Sequence, residues 1–376
     1  VNVLKQKIAD EGYAFVNIQP IPEIDSKTGI VKINFYIDSG RKVKVRRVNF
    51  SGNTSTNEIV YRRDLRFVEG SIYNGSILDK STMKLQQHPF VEDVSHSLSP
   101  VLGSSDQVDV NYKLKERSAN GINFKVGYSD LDKFFVGSSL DMPNLFGTGN
   151  QFSISTTLSK PQQSFSLNYT QPYFTLDGVS QSISAYLQRE DNSKRQNVLG
   201  YSMDTYGMNL IYGYPINDTD TFTFGGGYDF KKLFPPTGDY DSQTINQFFN
   251  QNDNKRSFNS FNINLGWKHN SLNAFYFPTQ GTTAGLSLQA SVPGSTFNWY
   301  QASVNGKWFY PINDYFTFNL SGNVNYGDGY GKTNKLPFFY NYYAGGWGSI
   351  RGYADGDLGP HDKLCKSGTD CAGSNS

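Results

Sequence analysis

From Ile122 to Tyr326 apolar and polar residues alternate with a period of two, a pattern held for more than 200 residues. Ile122, Phe124, Val126 and Tyr128 open it. Phe165, Leu167 and Tyr169 repeat it, as do Met208, Leu210, Tyr212 and Tyr214, and later Phe316, Phe318 and Leu320. The positions between are mostly Ser, Thr, Asn, Gln and Gly. Period two belongs to strands, whose successive side chains point to opposite faces. With a weaker stretch near 134–141, the pattern resolves into 11 strands. A helical bundle is excluded. So is disorder, because aromatic residues make up 15% of the chain. A net charge of +1 provides no field that would favour nucleic acid.

Alternation alone leaves a soluble sandwich and a membrane barrel open, since each has one apolar face. No run approaches ~18 consecutive apolar residues, so no segment reads as a membrane-spanning helix. Three features favour the barrel. Many strands run 9–12 residues, longer than the mean of about five or six in soluble proteins and enough to cross a bilayer when tilted. Connections on one side are compact, at 143–150, 172–178, 214–219, 270–281 and 311–315. Those on the other side are uneven, with long ones at 189–203, at 231–256 and after 327. Aromatics beside proline mark the short-turn ends, as in Pro172-Tyr173-Phe174, Tyr214-Pro215 and Tyr310-Pro311. An aromatic girdle at a membrane interface accounts for them. An odd strand count leaves a lipid-exposed edge, which the hydrocarbon does not tolerate, so further strands are expected outside this sequence. The opening at Val1, inside a helical pattern with Leu4 and Ile8 on one face, and the polar end at Gly373-Ser374-Asn375-Ser376 fit the same expectation of a fragment.

Residues 1–117 follow a different grammar. Val31-Lys32-Ile33-Asn34-Phe35-Tyr36-Ile37 matches Val108-Asp109-Val110-Asn111-Tyr112-Lys113-Leu114 at an offset of 77, and Ile8 and Leu85 lie 77 apart in the helices upstream. A unit of ~75 residues therefore occurs one and a half times. The complete copy, 43–117, reads β-α-α-β-β: a strand through Val43, Val45, Val48 and Phe50, a helix capped at Thr54, Ser55 or Thr56 and running through Arg66, a helix from Gly75 to Gln87, and strands at 91–98 and 106–116. This α/β module enters the first alternating strand directly, so it lies on the short-turn side of the membrane.

Cys365 and Cys371 have five residues between them. A loop disulfide, which implies an oxidising compartment, and two free thiols both fit. A zinc site would need two more ligands, and only His361 lies near. His88, His96 and His269 are scattered without ligand spacing. No HExxH or phosphate-binding loop appears, so no catalytic centre, metal or cofactor is expected.

Tyr343-Ala344-Gly345-Gly346-Trp347-Gly348-Ser349-Ile350-Arg351-Gly352-Tyr353 resembles the loop-6 signature of the outer-membrane β-barrel assembly factor (BamA) family. Asn144 to Gly149, Pro172 to Gly178 and Tyr276 to Gly281 match the same family, in order. Residues 43–117 look like its barrel-proximal POTRA domain, 1–42 like the tail of the preceding one, and 120–376 like the first part of the barrel. The resemblance implies a barrel of 16 strands with the last five absent here. It also implies a loop 6 folded back into the lumen. There Arg351 would pair with a carboxylate on a later strand, and Gly345, Gly346, Gly348, Ile350, Gly352 and Tyr353 would let the loop pack closely. Without the resemblance, Arg351 reads as a solvated loop residue.

The implied function is the folding and insertion of outer-membrane β-barrels. Ile122, Asn123, Phe124, Lys125, Val126, Gly127 and Tyr128, flanked by Gly121, would form a weak seam strand. Its free edge templates unfolded client strands, as the POTRA sheet edge would too. Further expected partners are periplasmic assembly lipoproteins, docked through Arg62, Arg63, Asp64 and Arg66, and outer-membrane lipid. A charged helix face is otherwise simply solvated. The rival readings are a two-partner secretion transporter, which shares POTRA domains and the Arg-Gly-Tyr loop, a plain porin, and a soluble adhesin sandwich.

Overall fold

The computed structural model describes residues 1–25, 29–129, 133–192, 200–234, 240–274, 277–346, 348–354, 356–360 and 364–366. Two compact units emerge: residues 1–120 with 143–150, and residues 121–142 with 151–376.

The first unit opens with helix α1 (Asn2–Asp10) and an antiparallel hairpin of β1 (Asn17–Asp25) and β2 (Ile30–Asp38). Then come β3 (Lys44–Ser51), α2 (Glu58–Arg62), α3 (Gly75–Gln86), β4 (Val91–Pro100) and β5 (Gln107–Glu116). The last three strands form one sheet in the order β3-β5-β4, with β3 parallel and β4 antiparallel to β5. Period two on β5 buries Val108, Val110, Tyr112 and Leu114, and seven-residue spacing on α3 brings Leu78 and Leu85 against them. Val60 and Tyr61 of α2 and Phe90 complete the core. Asn74 caps α3 by accepting from the Ile77 N–H at 2.9 Å, and Pro89 prevents the helix from continuing far past Gln87. The repeat inferred from sequence is physical, since α1 and α3, and β2 and β5, occupy equivalent chain positions.

One helix departs from expectation. α2 begins after Asn57 and ends at Arg62, rather than running from 54–56 through Arg66. Residues 54–56 are held as a loop by the Glu116 carboxylate, which accepts from the Ser55 N–H at 2.7 Å and the Tyr61 hydroxyl at 2.6 Å. Thr56, the last residue of that loop, is buried.

In the second unit, β6 (Gly121–Ser129), β7 (Lys133–Leu145), β8 (Asn150–Ser159), β9 (Gln162–Gln171), β10 (Ser180–Asp191), β11 (Ser202–Pro215) and β12 (Asp220–Phe234) follow one another. The short β13 (Tyr240–Ser242) and helix α4 (Gln243–Gln251) interrupt the series before β14 (Ser257–Asn270), β15 (Gly281–Ser291), β16 (Trp299–Pro311) and β17 (Thr317–Gly329). β18 (Leu364–Lys366) pairs antiparallel with β13. The remaining strands form one 11-stranded antiparallel meander in chain order, β6 to β17 without β13. Helix α4 was not foreseen. Its Thr, Ile, Asn and Phe residues are weak helix formers, and the Ser242 side chain starts it by accepting from the Ile245 N–H at 3.1 Å.

The alternation acquires a direction. The apolar set points outward and stays exposed, with Phe124, Leu187, Met208, Val304 and Val324 as examples. The polar set points inward and is buried, as at Asp229, Ser260, Asn262 and Ser291. This inversion of a soluble core is what a lipid solvent selects. The chain is an α/β module followed by part of a transmembrane antiparallel barrel.

Candidate functional site

The strand expected to form the seam is β6. It pairs with β7 from Gly121↔Asp141 to Ser129↔Lys133, and among the described residues it has a partner on that side alone. Ile122, Phe124, Val126 and Tyr128 are all more than two-thirds exposed, at 68–78%. On the inner face, Asn123 donates to the Asp141 carboxylate at 2.9 Å. Gly127 lies opposite Phe135, and a Cβ at Gly127 would sit 2.5 Å from the end of that ring. The aromatic ring thus covers an edge glycine, which otherwise offers nothing to pack.

The loop-6 motif forms a closed turn. The Gly346 N–H donates to Tyr353 O at 2.9 Å, and Ala344 and Leu358 exchange backbone bonds at 2.7 and 2.9 Å. Gly345 has φ +122°, and a Cβ there would fall 2.1 Å from Ala354 O, so only glycine fits. Gly345 and Gly346 are buried, whereas Gly348, Ile350, Arg351, Gly352 and Tyr353 are exposed at the tip. Trp347 and Tyr276 lie outside the described residues, as do His361 and Cys371. The disulfide expectation for Cys365 and Cys371 therefore lies outside them too.

Just before the motif, the chain is anchored to the inner face of the barrel, a feature that sequence reading missed. Tyr340 packs on Trp299 with ring centroids 4.2 Å apart and accepts at its carbonyl from Gln301 Nε2 at 3.0 Å. Lys231 Nζ stands 5.0 Å from the Tyr340 ring centroid, a cation–π contact. Phe248 of α4 meets Phe338 edge-on at 5.2 Å. Tyr201, Leu233, Ile245, Phe258 and Phe297 close an aromatic cluster around them. Beside it runs a polar network: the Tyr186 hydroxyl donates to Asp229 at 2.5 Å, Asn262 donates to Asp229 at 3.0 Å, and Ser260 donates to Asn262 at 2.7 Å. A run of Phe and Tyr in a long connection is a weak signal, because nothing local says which strand it will meet.

The expected docking patch on α2 is corrected in one residue. Asp64 is 2% exposed and accepts from His88 Nε2 at 2.5 Å and Lys84 Nζ at 3.1 Å, so it is an internal acceptor. The shortness of α2 turns Asp64 inward instead of along a helix face. Arg62 is half-buried and bonds Glu58, Glu69 at 3.0 Å and Val48 O at 2.9 Å. Arg63 is half-buried and Arg66 exposed. Glu69 is held below the usual carboxylate range by the Val48 N–H and by Arg62. Burial works against the charged form of Glu116, yet donors from Thr56, Tyr61, Ser55 and Thr54 outweigh it and lower its pKa. Burial, and then the same contact, raise that of Tyr61.

Among the described residues no group of three or more His, Cys, Asp or Glu side chains is placed to hold a metal.

The profile of the Omp85 superfamily domain matches residues 144–376, and that of the POTRA family, described as a surface antigen variable number repeat, matches 43–117. The chain belongs to the Omp85 superfamily. It is an outer-membrane protein with a periplasmic POTRA domain. The chain is 31% identical over 95% of its length to the outer membrane protein assembly factor BamA of Neisseria meningitidis serogroup B, covering 45% of that protein. Among solved structures it resembles BamA from Haemophilus ducreyi lacking POTRA domains 1–3, at 31% identity and a TM-score of 0.77, covering 96% of this chain and 70% of that one. CdiB from Acinetobacter baumannii, at 16% identity and a TM-score of 0.53 over 96% of this chain and 64% of that one, shares the fold. The chain spans less than half the length of the Neisseria relative.

Proposed function

We propose that this chain is the barrel-proximal part of an assembly factor that folds and inserts other outer-membrane β-barrels. The observation that carries the reading is β6: a nine-residue strand, shorter than the thirteen-residue β7 it pairs with, apolar on its lipid side, polar within, and carrying Gly121 and Gly127. A client strand pairs with the edge of β6 through backbone bonds, so templating reads main chain more than side chain. The POTRA sheet offers β4 as a further edge for extended segments, the edge of β3 being covered by residues 69–73. Similarity to BamA proteins over nearly the whole chain supports the same reading. Backbone bonds between Gly346 and Tyr353 and between Ala344 and Leu358 hold the loop-6 turn, and Arg351 at its exposed tip is the candidate to pair with a carboxylate on a later strand. Arg62, Arg63 and Arg66 are docking candidates for a periplasmic lipoprotein.

The test uses the full-length protein in its own cell. Depletion should stop heat-modifiable folding of several unrelated outer-membrane barrels together. Replacing residues 122–128 one at a time with proline should reproduce that arrest while the protein itself still inserts. Loss of a single secreted protein, with the other barrels folding normally, would make it a dedicated transporter instead.

A further inference from the structure

The outward wall of β8 to β12 is not uniform. Across it, Gln163, Arg189, Asp204 and Lys232 stand on one rung, as the registers Gln163↔Arg189, Arg189↔Asp204 and Asp204↔Lys232 require. The next rung, one residue pair deeper, is Phe165, Leu187, Tyr206 and Phe230. The one below is Leu167, Ala185, Met208 and Tyr228. Ala185 is the small member of its rung, so the wall is hollow there. A groove of about 420 Å³ runs over it between Leu167, Leu187, Tyr206, Met208 and Tyr228. A second groove, of about 390 Å³, shares Phe165, Leu187 and Tyr206 with the first and continues up to Arg189 and Asp204.

The polar rung fixes the depth. Arg189 donates to both Asp204 oxygens, from Nε at 2.6 Å and from Nη2 at 2.8 Å. A charge on the lipid face of a barrel is costly at mid-bilayer and nearly free at the interface, so this rung sits among headgroups. It lies at the end of the barrel opposite the short turns, which is the outer leaflet. Two cations and one carboxylate leave it with a net positive charge. The groove below is lined by carbon, and water is not its solvent.

We propose that these two grooves form one site for a phosphate-bearing acyl lipid of the outer leaflet. The headgroup phosphate meets Arg189, which lines the upper groove, with Lys232 two strands away adding to the positive charge, and one chain lies over Ala185. The Arg189–Asp204 pair orients the guanidinium, whose Nη1 remains to meet a phosphate oxygen. The two deeper outward rungs have aliphatic or aromatic side chains in place of this charge, and the rung above, Asp191, Ser202 and Phe234, carries no cation.

The test is native mass spectrometry of the full chain in detergent, incubated with equal amounts of phosphatidylglycerol and of diacylglycerol with the same chains. The expected result is one retained phosphatidylglycerol, favoured about tenfold over the neutral lipid, the effect of one charge-assisted contact. Arg189→Gln with Lys232→Gln should abolish the preference. Ala185→Leu should fill the groove and reduce retention of both lipids, and it leaves the ionic rung intact. Heat-modifiable migration reports that each variant still folds. Equal retention of the two lipids, or variants that retain phosphatidylglycerol as the parent does, would overturn the proposal. So would displacement of the lipid by inorganic phosphate, which would mark an anion site that does not use the groove.

Discussion

The Tyr61 hydroxyl donates to Glu116 Oε1 at 2.6 Å, and the other carboxylate oxygen takes the Ser55 N–H at 2.7 Å. The last residue of β5 thus ties the loop before α2 to the helix itself. Glu116 is held below its ordinary pKa by donors that burial only partly offsets. Its stabilising contribution is therefore full above the unfolded-state value near ~4.3 and is lost as pH falls through the lower folded value. Glu116→Gln should cost about 1–2 kcal/mol at neutral pH, little at the acid end, and shorten the acid limb of the stability curve. Amide hydrogen exchange across β3–β5, followed from pH 7 down to pH 3, checks it.

Asp64 has a structural role. Asp64→Ala strands His88 and Lys84 at a site where the carboxylate is 2% exposed. The expected cost is about 1–3 kcal/mol, because both partners keep some solvent. The loss should appear as faster exchange in α3 even when no lipoprotein is present. Unchanged exchange would return Asp64 to the surface patch.

Leu85 is fully buried between α3 and the sheet. Leu85→Ala should destabilise the α/β module by about 2–5 kcal/mol, transfer and cavity terms together. The barrel should remain heat-modifiable, since the two units have separate cores.

Gly127→Val places a branched side chain where the Phe135 ring lies. Exchange at β6 amides should accelerate as pairing with β7 loosens. Adding Phe135→Ala should restore part of the protection by removing the clash. If the single variant leaves β6 unaffected, the ring does not hold that edge.

Trp299 is 1% exposed and underlies Tyr340. Trp299→Ala should release the 336–340 segment from the inner wall, so that chymotrypsin cuts at Phe338–Tyr340 sooner than in the parent. Equal cleavage rates would show that the aromatic cluster holds the segment without it.

Residue order by itself determined the larger plan. Period two over two hundred residues dictates strands, their length and turn pattern dictate a membrane barrel, and the 77-residue repeat dictates a second, incomplete α/β unit. These features are local or periodic, so each residue reports them through its neighbours in sequence. The motif at Gly345–Tyr353 stood out only through its resemblance to the BamA family. What only the tertiary structure decided depends on partners far along the chain. Asp64 turns inward because His88 and Lys84 lie beneath it, and α2 starts late because Glu116 holds the loop before it. Tyr340 reaches Trp299 and Lys231 across the inner wall, and Arg189 meets Asp204 on the outer one. Each pairing is set by strand register and chain path, and a pattern of period two is the same in every register that differs by two residues.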